Sequence, residues 1–409
     1  MENPATGQPK PPHPYGASST VRDFDPLAPE TFDSPHAEYA RLRAQCPVAH
    51  TDRWNGFWTL TRYDDVSRVL AEPETYITSV QNVVPKVAFT GRRPPLHLDP
   101  PEHTPYRRAL NPLFTQARMQ ALAGPMRQYV VEQLAPLIER GHCDIVEDFS
   151  VAYPVHAFGL FLNVTGDQMR EISEVAVIYN RAVQEAIDDE VKRTSLLLYD
   201  IAHRLIEERK KNPLDPAIDP ASALLAARDA DGNPLPDAMI LGAIRQVLVV
   251  GIIAPSVTIG SFVIHLCRHQ DLQDQLRAQP EMLPAALEEL LRLYTPYRGF
   301  ARTPNKDVTL GGKLIRKNEP IALLYASANR DESAFEDANE FRLDRARKDH
   351  LAFGRGPHQC LGAPMARIEL LIALEELLRM TKKIELNGAI RATRWPEYGA
   401  LSAPVRFSK

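Results

Sequence analysis

Phe353-Gly-Arg-Gly-Pro-His-Gln-Cys360-Leu-Gly362 is followed at once by a helical pattern beginning at Ala363. Gly354 and Gly356 permit a tight turn through backbone conformations closed to residues with a Cβ. The turn delivers Cys360 to a helix N-terminus, where unpaired amides and the helix dipole favour the thiolate over the thiol. A thiolate placed there is a nucleophile or a metal ligand, and a buried structural cysteine is the plain alternative. A nucleophile needs a base, and His358, two residues away within the turn, is poorly placed to take its proton. The other cysteines, Cys46, Cys143 and Cys267, are widely separated and no C-x-x-C pair exists. Neither a thiolate zinc cluster nor a disulfide framework is expected.

Outward from that turn, the 409-residue chain has 48 Lys and Arg against 52 Asp and Glu, a net charge of −4. Without a basic excess it lacks the electrostatic footprint of nucleic-acid binding. With 44% hydrophobic and 24% charged residues, its bulk is globular and not disordered. Pro4, Pro9, Pro11, Pro12 and Pro14 exclude a secretory signal, so residues 1–22 read as a flexible, partly extended tail and a reducing cytosol is expected. The remainder is mainly helical. A strand is predicted at 57–63, a short helix at 64–70 and a loop over 73–98. Helical periodicity runs from 104 to about 210, broken near Gly141 and Gly166. Residues 212–220 and 229–236 read as turn-rich connectors, and 270–278 and 282–294 as helices. Short strands follow at 308–310 and 321–325, then a long last helix over 363–380 and a tail with strand character. No linker divides the chain, which predicts one domain over 23–409.

Residues 247–264 are uncharged over nearly the length of a membrane span. Gly251, Pro255, Ser256, Thr258, Gly260 and Ser261 interrupt the segment, and an amphipathic lead-in bearing Asp237 and Arg245 precedes it. A helix apolar on all faces lies in lipid or at the centre of a large soluble fold. The interruptions favour the second reading, a buried central helix without a membrane span.

The cysteine segment resembles the heme-ligand loop of the cytochrome P450 family, F-x-x-G-x-x-x-C-x-G. The resemblance implies a mainly α fold with small β-sheets and the central helix lying over heme b. By position, Cys360 is then the proximal iron thiolate, which favours O–O cleavage. Phe353 is then expected to pack beneath the macrocycle, with Gly354 and Gly362 in the same cofactor-binding loop, and His358 to bond a heme propionate. Glu289-Leu-Leu-Arg292 is similar to the family's E-x-x-R helix and implies a structural triad with Arg345 in Phe341-Arg-Leu-Asp-Arg345. Asp99-Pro-Pro-Glu-His103-Thr-Pro-Tyr-Arg107 and Ala301-Arg302-Thr resemble the family's propionate-binding segments, which assigns His103, Arg107 and Arg302 to the same cofactor. The likeness extends over roughly residues 35–407.

The distal side departs from that pattern. Val250-Gly251-Ile252-Ile253-Ala254-Pro255 stands where the family usually carries an acid followed by threonine; Ile253 takes the acid position and Ala254 the threonine position. Pro255 has no N–H for the Gly251 carbonyl and is expected to kink the helix. Ser256 and Thr258 are the nearest hydroxyls, although such side chains usually bond their own helix backbone. The family implies monooxygenation of a hydrophobic substrate with O2 and electrons from a separate ferredoxin or flavodoxin and its reductase. Peroxide-driven chemistry, nitration with nitric oxide or oxidative coupling are the alternatives, and non-catalytic heme binding or thiol hydrolysis are more remote. Tyr76, Val83, Phe89, Val175, Tyr179, Phe300, Tyr398 and Leu401, with Val250, Ile253 and Ala254, are expected to line the pocket. Arg298 is expected to face solvent; pointing inward, it could bind a carboxylate. Arg107, Arg108, Arg347, Lys348 and Arg355 form a candidate landing patch for an acidic donor.

Overall fold

The computed structural model describes residues 23–32, 35–86, 90–185, 187–346, 349–393 and 395–408. The expected tail over 1–22 lies outside the described residues. Helices dominate. The uncharged segment is the middle of a longer helix, Asp237–Arg268, which continues through Pro255. It is the one described helix long and apolar enough to cross a membrane, and 78% of its most apolar window is buried inside the protein. Helices Ala152–Leu162, Gly166–Glu185, Asp188–Lys211 and Ala363–Met380 pack around it. Burying apolar side chains on every face of one helix is the main stabilisation available to such a core, about 25 cal/mol per Å². Val249, Ile252, Ile259, Phe262 and Val263 are all at or below 5% exposure.

The small sheets lie at the periphery of this helical body. Five strands run in the order Val48–Thr51, Phe57–Leu60, Ile321–Leu323, Ala301–Pro304 and Tyr76–Ile77. Phe57–Leu60 pairs parallel with Ile321–Leu323, Trp58 opposite Ile321; the other pairings are antiparallel. Strand Pro404–Ser408 pairs on both sides, with His142–Asp144 and Lys383–Leu386.

Two expectations shift. Residues 212–220 are not wholly connector, because Asp219 caps a helix over Pro220–Ala226 by accepting from the Ser222 amide. Residues 73–98 contribute an edge strand, Tyr76–Ile77, paired with a distant partner that local sequence does not announce. The last helix begins at Ala363 and ends at Met380, as its pattern predicts.

Candidate functional site

Two left-handed glycines build the turn before Cys360. Gly354 has φ 65° and Gly356 φ 75°, and a Cβ on Gly356 would stand 2.3 Å from the Leu70 carbonyl oxygen. The loop closes through the Cys360 amide, which donates to the Phe353 carbonyl at 2.8 Å. The Phe353 ring is covered by the Arg367 guanidinium, 4.5 Å from its centroid. Burial pushes the Cys360 thiol up, while the Gly362 amide, Arg107, Arg367 and the Ala363 amide pull the other way. Yet the side chain is accessible. A group deep enough to be desolvated and still accessible borders an interior space.

The central helix shows the same combination. Val250 is 46% exposed while Val249 and Ile252 beside it are 5% and 3%. Between Gly242 and Leu266 only Gln246, Val250, Gly251 and Ala254 are not buried. Gln246, Val250 and Ala254 recur every four residues and so form one stripe along the helix. A Cβ at Gly251 would stand 1.9 Å from the Phe158 ring, so this glycine admits an aromatic side chain against the helix. Ile253 is buried in the core at 6% exposure. Ser256 donates to the Ile252 carbonyl and Thr258 to the Ala254 carbonyl, both at 2.6 Å. Neither hydroxyl proton points away from the helix. Ser256, one of the two nearest hydroxyls, is thereby occupied by its own helix backbone.

Polar groups gather beside the cysteine turn. The His103 and His358 rings lie 5.0 Å apart, centroid to centroid. Burial lowers both imidazoles and favours their neutral forms. His358 Nε2 is 3.4 Å from Thr78 Oγ1 and 3.8 Å from Asp99 Oδ1. Burial alone would raise the Asp99 carboxyl, but hydrogen bonds from His358, Ser79 and Thr78 hold it well below the usual range. Arg302 is 6% exposed. Its Nη1 donates to the Ala301 carbonyl at 2.9 Å, burial lowers its pKa, and no ion pair to a described residue neutralises it. Arg107 donates to the Gln359 carbonyl at 3.0 Å, next to the cysteine. Both guanidiniums act on the His358 ring electrostatically. Thus His103, Arg107, Arg302, His358 and Cys360 converge from three segments. A desolvated thiol, two guanidiniums and two neutral imidazoles fit an iron macrocycle bearing two carboxylates: the thiol suits the metal, and the cations suit the acids.

The predicted triad holds the turn from below. Glu289 accepts from Arg292 Nε and Nη2 at 2.9 and 2.7 Å, and from Arg345 Nε at 3.0 Å. Arg292 also donates to the carbonyls of Asn329, Ala338 and Glu340. Asn329 in turn accepts the Leu351 amide at 2.6 Å, at the entrance to the cysteine segment.

The expected pocket residues divide. Val83 and Phe300 form a backbone bridge, and Phe300 stacks near Tyr297 with ring centroids 4.5 Å apart. Val175 and Leu401 are partly exposed. Tyr76 is only 2% exposed, within the hydrophobic cluster beneath the five-stranded sheet; its strand alternation turns it to that core. The Tyr398 hydroxyl pairs with His36 Nε2 at 2.7 Å and faces the N-terminal helices. Tyr179 faces Arg245, whose guanidinium carbon lies 4.8 Å from the ring centroid. Arg298 is not at the surface. It is 0% exposed, donates to the Thr31 carbonyl at 2.9 Å, and lies over Trp395 and Tyr398. Phe89, Arg347 and Lys348 lie outside the described residues. Gln246 is the polar residue that the pocket reading missed; its Oε1 is buried without a partner. Its place four and eight residues before Val250 and Ala254 was the available signal.

A family model described as Cytochrome P450 matches residues 155–382. The chain is 33% identical over 381 residues to mycinamicin IV hydroxylase/epoxidase of Micromonospora griseorubida, covering 90% of this chain and 94% of that one. It is 29% identical to linalool 8-monooxygenase of Pseudomonas putida, over 89% and 93% of the two chains. The crystal structure of CYP109E1 from Bacillus megaterium in complex with testosterone superposes with a TM-score of 0.79 at 29% identity, covering 91% of this chain and 99% of the other. Similarity of that extent makes this chain a member of the cytochrome P450 family and a heme-dependent monooxygenase.

Proposed function

We propose that Cys360 is the axial thiolate of heme b and that the chain oxidises a small or medium hydrophobic substrate in a single domain spanning residues 23–409. The observation that carries the assignment is the cysteine itself, desolvated yet accessible, with the Gly362 and Ala363 amides directed at its sulfur. Arg302, Arg107, His103 and His358 are assigned to the propionates. Phe353, Gly354 and Gly362 shape the turn. When bound, the heme supplies the redox chemistry that places one atom of O2 in the substrate and releases the other as water.

The chain's own part is to hold substrate, exclude water and govern protons. Val250, Ala254, Val83 and Phe300 give an apolar wall that orders no bulk water. Ile253 and Ala254 bring no titratable proton, and the Ser256 and Thr258 hydroxyls are spent on backbone carbonyls. Protons therefore travel through ordered water or the substrate. Pro255 supplies no amide to the Gly251 carbonyl, which leaves that oxygen free to accept from such a water; the Gln246 amide, one turn before Val250 on the open stripe, supplies both a donor and an acceptor.

Electrons come from a separate acidic ferredoxin or flavodoxin served by its own reductase, in the cytoplasm. Arg108 is exposed, next along the helix to Arg107, and Arg355 lies within the cysteine turn, paired with Asp349 at 2.9 Å. The test is product formation by the reconstituted protein with ferredoxin, reductase and O2, set against hydrogen peroxide alone. Ferredoxin-supported turnover that slows with rising salt supports the reading. Turnover with peroxide and none with any ferredoxin or flavodoxin overturns it.

A further inference from the structure

The central helix carries a second, unannounced polar feature on the side where it meets residues 90–97. A Cβ on Gly242 would stand 1.9 Å from the Arg92 carbonyl oxygen, and one on Gly91 would stand 2.5 Å from the Tyr199 hydroxyl. These two glycines let the 91–93 backbone lie directly against helices Asp237–Arg268 and Asp188–Lys211. Arg245 follows Gly242 by three residues and shares its face. Two arginines are thereby driven together: Arg245 is 1% exposed and Arg93 is 9% exposed. No carboxylate among the described residues pairs with either. Arg245 donates to the Ser195 hydroxyl at 2.8 Å, and its guanidinium carbon lies 4.8 and 5.9 Å from the Tyr179 and Tyr199 ring centroids. The Nε of each arginine is buried without a partner.

Burying one guanidinium without an anion costs several kcal/mol, and two side by side add mutual repulsion. The surroundings register the field. Burial would raise the Tyr179 phenol, yet Arg245 and Arg93 hold it below its ordinary value. Burial, then Arg93, Arg245 and Arg92, pushes His97 down to about 3. A stable fold that keeps such a pair has a use for the positive potential, and planar forks with free N–H groups match a carboxylate in two-pronged geometry.

We infer that Arg93 and Arg245 form the acid-binding end of the substrate pocket, and that the enzyme's substrate is a hydrophobic carboxylic acid. The inference deepens the proposed function and rests on it. Gln246, adjacent to Arg245, begins the open stripe that continues through Val250 to Ala254. Arg245 and Ala254 are nine residues apart, roughly 13 Å along a helix axis. Oxidation therefore falls on carbon remote from the carboxylate, toward the far end of the chain or ring.

The experiment measures affinities of the holoenzyme for dodecanoate against dodecan-1-ol and for 3-phenylpropionate against 3-phenylpropan-1-ol, by calorimetry and by the spin-state shift. At least one acid is expected to bind ~30-fold tighter than its alcohol, a preference that Arg245→Gln or Arg93→Gln reduces to about 3-fold or less while alcohol affinity is unchanged. Neither acid binding more tightly than its alcohol, including no binding by either member, overturns the inference; so does a preference that both substitutions leave intact. The alcohol comparison in the unaltered enzyme stands even if a variant fails to fold. A protein that shows the thiolate signature with carbon monoxide and lacks the acid preference refutes this inference alone. One that lacks that signature refutes the reading beneath it.

Discussion

Glu289→Gln isolates what the buried triad contributes to the cysteine turn. The carboxylate accepts two bonds from Arg292, a further pair from Arg345 Nε at 3.0 and 3.2 Å, and the Arg342 amide at 3.1 Å. Side-chain exposures are 6% for Glu289, 1% for Arg292 and 5% for Arg345, so solvent screens little of the interaction. The substitution keeps the shape, removes the charge and turns an amide donor toward guanidinium donors. Breaking a buried pair in this way costs about 3–5 kcal/mol, chiefly because the surviving charges stay buried. Against a typical net stability of about 5–15 kcal/mol, that is a third or more of the total. Burial alone would raise the Glu289 carboxyl, and the Arg292 bonds hold it below its ordinary value of 4.5. Its contribution is therefore present above pH 4.5 and lost as pH falls through the lower folded value. Urea unfolding of wild type and Glu289→Gln at neutral pH, read by heme absorbance and tryptophan fluorescence, measures the difference. Replacing Glu289, Arg292 and Arg345 together by leucine and two methionines is expected to recover at least half of the loss, since no charge then remains buried. A Glu289→Gln cost under about 1 kcal/mol refutes the claim that this carboxylate neutralises two desolvated arginines.

Glu369 is fully buried on the last helix, its Oε1 has no partner, and burial raises its pKa well above 4.5. Because the folded chain retains a proton that the unfolded chain releases above that value, Glu369 destabilises progressively as pH rises, by about 1.4 kcal/mol per unit across the interval. Glu369→Gln should flatten that decline in a series of urea titrations; equal slopes for both proteins contradict it. Arg302→Gln is expected to weaken heme retention by about 10- to 100-fold, in line with loss of one buried charge-assisted contact, as followed by transfer to apomyoglobin. Unchanged heme loss places the propionates elsewhere. Ala254→Thr supplies a hydroxyl at the open stripe and should raise the fraction of electrons recovered as product, measured as product per NADPH consumed; no gain means that Ala254 does not border the proton path.

What the sequence made legible was local. The cysteine turn needs two glycines at fixed spacing and a helix directly after, and both appear where the pattern placed them. The E-x-x-R pair shares a helix face by periodicity alone. The apolar middle of the central helix is legible, but Asp237 and Arg245 make its first ten residues read as an amphipathic lead-in. Only the packing of 91–93 against Gly242 shows that this end is buried too. Arg298 misled for the same reason: an arginine among aromatics reads as surface until the Thr31 carbonyl and two rings are brought from opposite ends of the chain. Val48–Thr51 and Ala301–Pro304 are buried at every position and so carry no polar–apolar alternation to read; the first pairs with nearby Phe57–Leu60, and the second also pairs with Tyr76–Ile77, far away in sequence. Tyr76 and Tyr398 were assigned to the pocket by position, but side-chain direction depends on sheet register and on His36, which position along the chain does not encode.

The central claim is that the Cys360 sulfur, deprotonated, is bonded to heme iron. The most direct measurement is the absorption difference on adding carbon monoxide to the freshly purified, dithionite-reduced protein, alongside Cys360→His. Wild type is expected to show the strongly red-shifted band of thiolate ligation, and the variant to lose it with heme still bound. A folded, heme-loaded wild type without that band, or a variant that keeps it, contradicts the account.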